Sequence, residues 1–165
     1  MILPLLLFAW PTFVPPTAPK PPALVQEHGV DYVGVESLAL ERAVSELAEL
    51  GEWCQKNRAY LQRNRAYGAI LIWDDGHEQA RKTLGWKWDK QASTWTQKRV
   101  PRAPKDQNKE GAAEAIAKRA QILGQLRDSL VAAMDADKSL PAERRQRVLD
   151  KLLEALPDDA ILRGR

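Results

Sequence analysis

Three groups of residues have the types and spacing to do chemistry. Asp74, Asp75, His77 and Glu78 fall in the five-residue run "DDGHE", and carboxylates beside an imidazole are common metal donors. The same residues have a plainer use. Asp75 as N-cap with Glu78 three positions on forms a capping box. No second donor cluster stands elsewhere, so no metal is expected. Cys54 is the one cysteine of the chain. It excludes an intrachain disulfide and with it a disulfide scaffold. A nucleophilic thiol needs a positioned base. Only His28 and His77 could serve, and neither is near in sequence, so Cys54 is expected to be packed. The third group is "LGWKWDKQASTW", residues 84–95, where three tryptophans alternate with polar residues. Such a stretch serves either as a stacking surface for bases or as the core of a very small domain. No Gly-rich phosphate loop, zinc-type cysteine spacing or hydrolase signature is present. No catalytic residue and no cofactor are expected, and the chain reads as a non-enzyme.

Charge singles out the same region. The 165 residues carry a formal net charge of +3, which alone says little. Residues 1–55 hold two Lys and Arg against seven acids, and residues 106–165 balance at eleven of each. Residues 56–105 hold twelve Lys and Arg against four acids, a net of +8. A concentration of that kind attracts phosphates or acidic partners, or it is a solvated surface.

Several elements must position these groups. Residues 1–22 hold most of the eleven prolines among Leu5, Leu6, Leu7, Phe8, Trp10 and Phe13. Polyproline II geometry is expected there. As a secretory signal the stretch lacks a basic n-region, and cleavage after Ala18 would place Pro19 next. The apolar run is also shorter than a spanning helix needs. The arm is therefore expected to dock on its own domain or a partner, or to form a tail ahead of the true start. A short strand is predicted at residues 30–35. A long helix follows, with Leu40, Val44, Leu47, Leu50 and Cys54 in one apolar stripe, extended by Trp53, Tyr60 and Leu61. Gly51 marks a kink or break in it. Its acidic start and basic end suit the helix dipole. "YGAILIW", residues 67–73, reads as a buried strand. A short helix from Asp75 ends at Gly85, and "WKWD" and "STWTQ" form a hairpin around residues 90–92. Residues 98–111 read as a basic linker. Residues 112–165 read as an antiparallel helical hairpin. Its first helix carries an Ile116, Leu123, Leu130 seam with Ala120, Leu126 and Ala133. Ser139 is expected to cap the second helix, with Pro141 in its first turn and Pro157 ending it.

Residues 67–96 resemble short modules appended to phage, plasmid and bacterial DNA-processing proteins, similar in outline to the substrate-recognition domain of annealing helicases. The resemblance lies in Ala80, Leu84, Gly85, Trp86, Trp88, Asp89 and Trp95. It departs in "IWDDG", where such modules often carry Val-Pro, and in Trp86, which replaces a small or basic residue. It covers a fifth of the chain and implies nucleic-acid association without catalysis.

The expected fold is α+β: a long N-terminal helix with a small strand–helix–hairpin module, then the C-terminal helical hairpin. Asp89 is expected to bond the backbone of the turn. Trp88 and Trp95 are expected in the module's core, and Trp86 stays open between core and surface. Phosphate contacts then fall to Arg63, Arg65, Arg81, Lys82, Lys87, Lys90, Lys98 and Arg99. The expected function is a cytoplasmic accessory protein that binds DNA or RNA backbone through its basic centre. The alternative is a protein-interaction adaptor that uses the apolar arm and the C-terminal hairpin, which could also self-associate.

Overall fold

The computed structural model describes residues 31–97 and 104–163. Helix α1 spans Tyr32–Lys56 and α2 spans Tyr60–Trp73. A short α3, Glu78–Thr83, leads into strands β1, Lys87–Asp89, and β2, Thr94–Thr96. Helices α4, Lys109–Ala136, α5, Ala142–Ala155, and α6, Ala160–Arg163, complete the described chain. The architecture is mostly helical, with one two-stranded antiparallel hairpin. Of the expected α+β arrangement, the long N-terminal helix, the short helix with its hairpin and the C-terminal helices are present. Among the described residues no helix is long and apolar enough to cross a membrane. The apolar arm at residues 1–22 lies outside the described residues.

Helix α1 is the spine. Its predicted stripe is the buried one: Leu47, Leu50 and Cys54 are enclosed, with Leu40 and Val44 partly covered. Three apolar clusters follow one another along it. Near its start, Tyr32 and Ala43 pack with Leu126, Leu130 and Met134 of α4 and Val148 and Leu152 of α5. At its middle, Leu47 meets Tyr67 and Ile70 of α2, Ala80 of α3 and Leu123 of α4. At its end, Leu50 and Cys54 meet Ala66 of α2 and Ala112 and Ala115 of α4.

Two expected strands are helical. Residues 32–35 form the first turn of α1; residue 30 lies outside the described residues. Residues 67–73 form the second half of α2. A short apolar run does not separate strand from helix by itself. Joined to residues 60–66, the buried positions Gln62, Ala66, Ala69 and Ile70 recur at three- and four-residue spacing, which is the helical period.

The break between α1 and α2 falls at Arg58, not at Gly51. Gly51 lies inside continuous helix, where an added Cβ would sit 2.7 Å from the Tyr67 ring. Its role is close approach of α2, not a kink. Arg58 holds a left-handed backbone, φ 58°. The Ala59 amide donates to Cys54 O at 2.9 Å and the Arg58 amide to Gln55 O at 3.4 Å. Those are the two bonds of a Schellman ending, with arginine where glycine is usual.

The corner is locked from outside. Asp106 Oδ1 accepts from the amides of Leu61 (2.8 Å) and Gln62 (3.3 Å), and Oδ2 accepts from Gln62 Nε2 (3.0 Å). These donors belong to the first turn of α2, which lacks a capping side chain of its own. The Gln107 amide adds a bond to Arg58 O at 2.9 Å. Residues 104–108, within the 98–111 segment read as a basic linker, therefore tie α4 to this corner. Asn108 then caps α4 through Gly111 N at 3.0 Å.

The C-terminal helices, read as a hairpin that packs on the N-terminal part or pairs with a partner chain, pack on the N-terminal part. α4 lies along α1, and the common core joins α1, α2, α4 and α5. Ile116 is 45 % exposed and Ala120 is also on the surface, so both lie off the packed seam. Ser139 does not cap α5: its amide and hydroxyl bond Asp137 Oδ1 at 2.9 and 2.6 Å, and α5 starts after Pro141. Arg145 instead gathers carbonyls at the end of α4, donating to Met134 O (2.5 Å), Leu140 O (3.1 Å) and Asp137 O. Arg144 joins α5 to α1, 2.5 Å from Glu36 Oε2 and over the Tyr32 ring.

Asp106→Ala strips two backbone donors and one side-chain donor of their acceptor. It is expected to cost about 1–3 kcal/mol, read as a lower urea midpoint at unchanged slope. Arg58→Gly relieves the left-handed residue and is expected to stabilise by about 0.5–1 kcal/mol in the same measurement.

Candidate nucleic-acid interface

The hairpin is hung from α3. His77 is the N-cap, and its Nδ1 accepts from Ala80 N at 3.3 Å. Asp75 does not hold the cap expected of it. Asp74 makes the preceding turn instead, through Gly76 N at 3.1 Å, so the helix starts later. Glu78 pairs with Lys82 one turn on. The "DDGHE" residues thus have local structural partners.

Gly85 ends α3 as the sequence predicts, with φ 87°. The Trp86 amide donates to Arg81 O at 2.9 Å and Gly85 N to Lys82 O at 3.1 Å. The chain reverses into β1, which pairs with β2 in the register Lys87 with Thr96, Trp88 with Trp95 and Asp89 with Thr94. Asp89 organises the turn as expected: its Oδ1 accepts from Gln91 N (2.9 Å) and Ala92 N (3.1 Å). Gln97 Nε2 fastens the far end by donating to Leu84 O at 2.9 Å.

Arg81 holds ribbon and helix together. Its guanidinium lies 4.7 Å from the Trp86 ring centre and 5.9 Å from that of Trp95. Its Nε donates to Asp75 O, and its side chain is only 16 % exposed. A guanidinium sandwiched in this way is part of the module's packing.

The tryptophans divide. Trp86 and Trp95 are half-buried. Trp88 is 49 % exposed, which corrects its expected place in a core. It meets Trp95 edge to face, with ring centres 5.5 Å apart and planes at 69°. Two three-residue strands over a six-residue helix have one covered side, and Arg81 fills the space beneath Trp86 and Trp95. No described element covers Trp88.

The basic residues divide as well. Lys87 and Lys90 are exposed on the hairpin, and neither forms an ion pair among the described residues. Lys82 is exposed but paired with Glu78. Arg63 donates to Gln55 Oε1 and Asn64 Oδ1 and lies over Tyr60. It lines a groove of about 260 Å³ with Lys56, Tyr67 and, from α3, Gln79 and Thr83. Sequence reasoning missed Lys56 there, because the turn at Arg58 that folds α2 back was not legible. Arg65 is exposed elsewhere, near Arg119 of α4. Burial first and the Arg65 charge second hold Arg119 below the usual guanidinium range. Lys98 and Arg99 lie outside the described residues. The structure therefore brings Arg81, Lys82, Lys87 and Lys90 into one module, borders it with Arg63, and separates Arg65 from it.

The chain matches no family model, no curated protein and no solved structure.

Cys54 is fully enclosed. Burial chiefly, and the Asp106 carboxylate next, push its thiol up to about 11, against the pull of Lys118, Arg119 and Arg63. A thiol held protonated is the opposite of an activated nucleophile. Its folded pKa lies above the ordinary value of 9.0, so its contribution to stability is complete below that value and is lost as pH climbs through about 11. Urea midpoints under reducing conditions are expected to fall over that window, and Cys54→Ala to fall less steeply.

Proposed function

We propose that this chain is a non-catalytic nucleic-acid accessory protein that binds phosphate backbone through its hairpin module. The observation that carries the reading is the pairing of two exposed lysines, Lys87 and Lys90, which form no ion pair among the described residues, with the exposed indole of Trp88 on one hairpin. Exposed ammonium groups on long stems release counterions when they meet phosphates. Arg63 and Lys56, which outnumber Glu52 in the bordering groove, extend the positive surface. The likeness of residues 67–96 to modules of DNA-processing proteins supports the same reading in its later part: the short helix, Leu84-Gly85 and the tryptophan hairpin. Its opening strand is replaced here by α2.

The adaptor alternative draws less support. The apolar face of α4 that a partner helix would use is covered by α1. Among the described residues, which do not include the apolar arm, the large apolar side chains left exposed outside the hairpin are Val33, Leu38 and Ile116, and scattered single residues do not make an interface.

Fluorescence anisotropy with labelled oligonucleotides at several salt concentrations tests the reading. Binding is expected to weaken linearly in log–log form with salt. Lys87→Glu with Lys90→Glu is expected to lower affinity about ten-fold or more at low salt and to reduce the salt slope by roughly 2. Full-length protein that shows no salt-dependent binding would sink it.

A further inference from the structure

We propose that Trp88 is a stacking site for unpaired bases, so that the hairpin takes single-stranded nucleic acid in preference to duplex. The proposal rests on the phosphate-binding reading above and adds a ligand class to it.

The argument starts from how this chain treats its other tryptophans. Trp53 carries Lys118 over its ring at 4.7 Å, and Trp73 carries Lys151 at 5.5 Å. Trp86 and Trp95 share Arg81. Each of these indoles is partly covered and has a cation of the chain itself over its π-system. Trp88 differs on both counts. It is the most exposed of the described tryptophans, and its only ring partner among the described residues is Trp95. An indole buries roughly 150–250 Å² when covered, so an uncovered one leaves a large apolar face in water.

Two classes of ligand fit such a face: a cation, or a flat aromatic ring. The surroundings choose between them. Lys90 sits in the turn just beyond the Trp88–Trp95 pair, and Lys87 adjoins Trp88 on the ribbon's reverse side. Two ammonium groups that form no ion pair among the described residues outnumber the one carboxylate beside them, Asp89, and disfavour a cationic guest. They attract an aromatic group that carries its own negative charge, and a base attached to phosphate is that group. Strand alternation separates Lys87 and Trp88 onto opposite faces, so a bound strand would cross the ribbon's edge, its base against the indole and its flanking phosphates within reach of the lysine stems.

Duplex cannot use the site in the same way, because its base faces are occupied by their neighbours in the stack. Lysine contacts are open to both forms. Stacking is open only to the single strand, and it tolerates any base because every base has a π-face. Trp88 is held ready for this. Arg81 fixes Trp95, and Trp95 meets Trp88 edge on, so the indole is oriented before a ligand arrives. Arg81 is a positioning residue here.

The test uses the full-length chain with oligodeoxythymidylate, oligouridylate and a blunt duplex of equal length, at low salt. The single strands are expected to bind more tightly than the duplex, and the two sugar types report whether DNA or RNA is favoured. Trp88→Ala is expected to lower single-strand affinity about ten-fold with duplex affinity unchanged. Trp88→Phe should retain most of the affinity but lose the quenching of tryptophan emission that the single strand causes, which keeps the test decisive if the alanine variant folds poorly. Equal wild-type affinity for single strand and duplex, parallel losses on both in Trp88→Ala, or quenching that survives in Trp88→Phe would each overturn the stacking site while leaving backbone binding in place. Absence of binding to all three removes the backbone reading and the stacking site with it.

Discussion

The carboxylate of Asp106 closes the corner on which the helical packing depends. α1 ends in a left-handed turn and α2 begins without a cap of its own. Backbone amides at a helix start must find acceptors, and here they find one that arrives from 44 and 45 residues away in sequence. The same contact delivers the start of α4 to the end of α1. Ala112 and Ala115 can then close over Cys54 and Leu50. One polar side chain thus sets the angle of α2, the register of α4 and the enclosure of the only thiol.

Much of this was legible where a rule acts locally. The stripe of α1 follows from spacing alone. Gly85 announced the end of α3, and Asp89 the hairpin turn. The corner at Arg58 has the same pair of backbone bonds as the one at Gly85, yet nothing in the sequence marks it. Its left-handed residue is an arginine, and its support comes from the remote Asp106. Residues 67–73 misled for a related reason. Cut from residues 60–66 by the apparent end of a long helix, they are too short to show a period. Asp75 and Ser139 are good capping residues that lost to neighbours: Asp74 and Asp137 formed turns first, and both helices started later.

The candidate site was legible as a region more than as a set of roles. Charge counting found the basic centre, but it could not separate Arg81, which binds indoles of its own chain, from Lys87 and Lys90, which face water. Nor could alternation alone reveal that Trp88 lies beyond what α3 can cover. A core needs a covering element as well as apolar residues, and the six residues of α3 reach Trp86 and Trp95 only.

The suspension of the hairpin from α3 has a further consequence. Its ties to the rest of the described chain are few: the Arg81 sandwich, the Gln97 bond to Leu84 O and the turn at Gly85. The helices draw their stability from clusters along α1 in which no hairpin residue takes part. The two parts are therefore thermodynamically close to independent. A ligand on the ribbon would order the ribbon and leave the bundle as it is, so it has little means of signalling to the far end of the molecule. Affinity at such a limb is governed by how much motion the ribbon must surrender, a quantity set within a dozen residues.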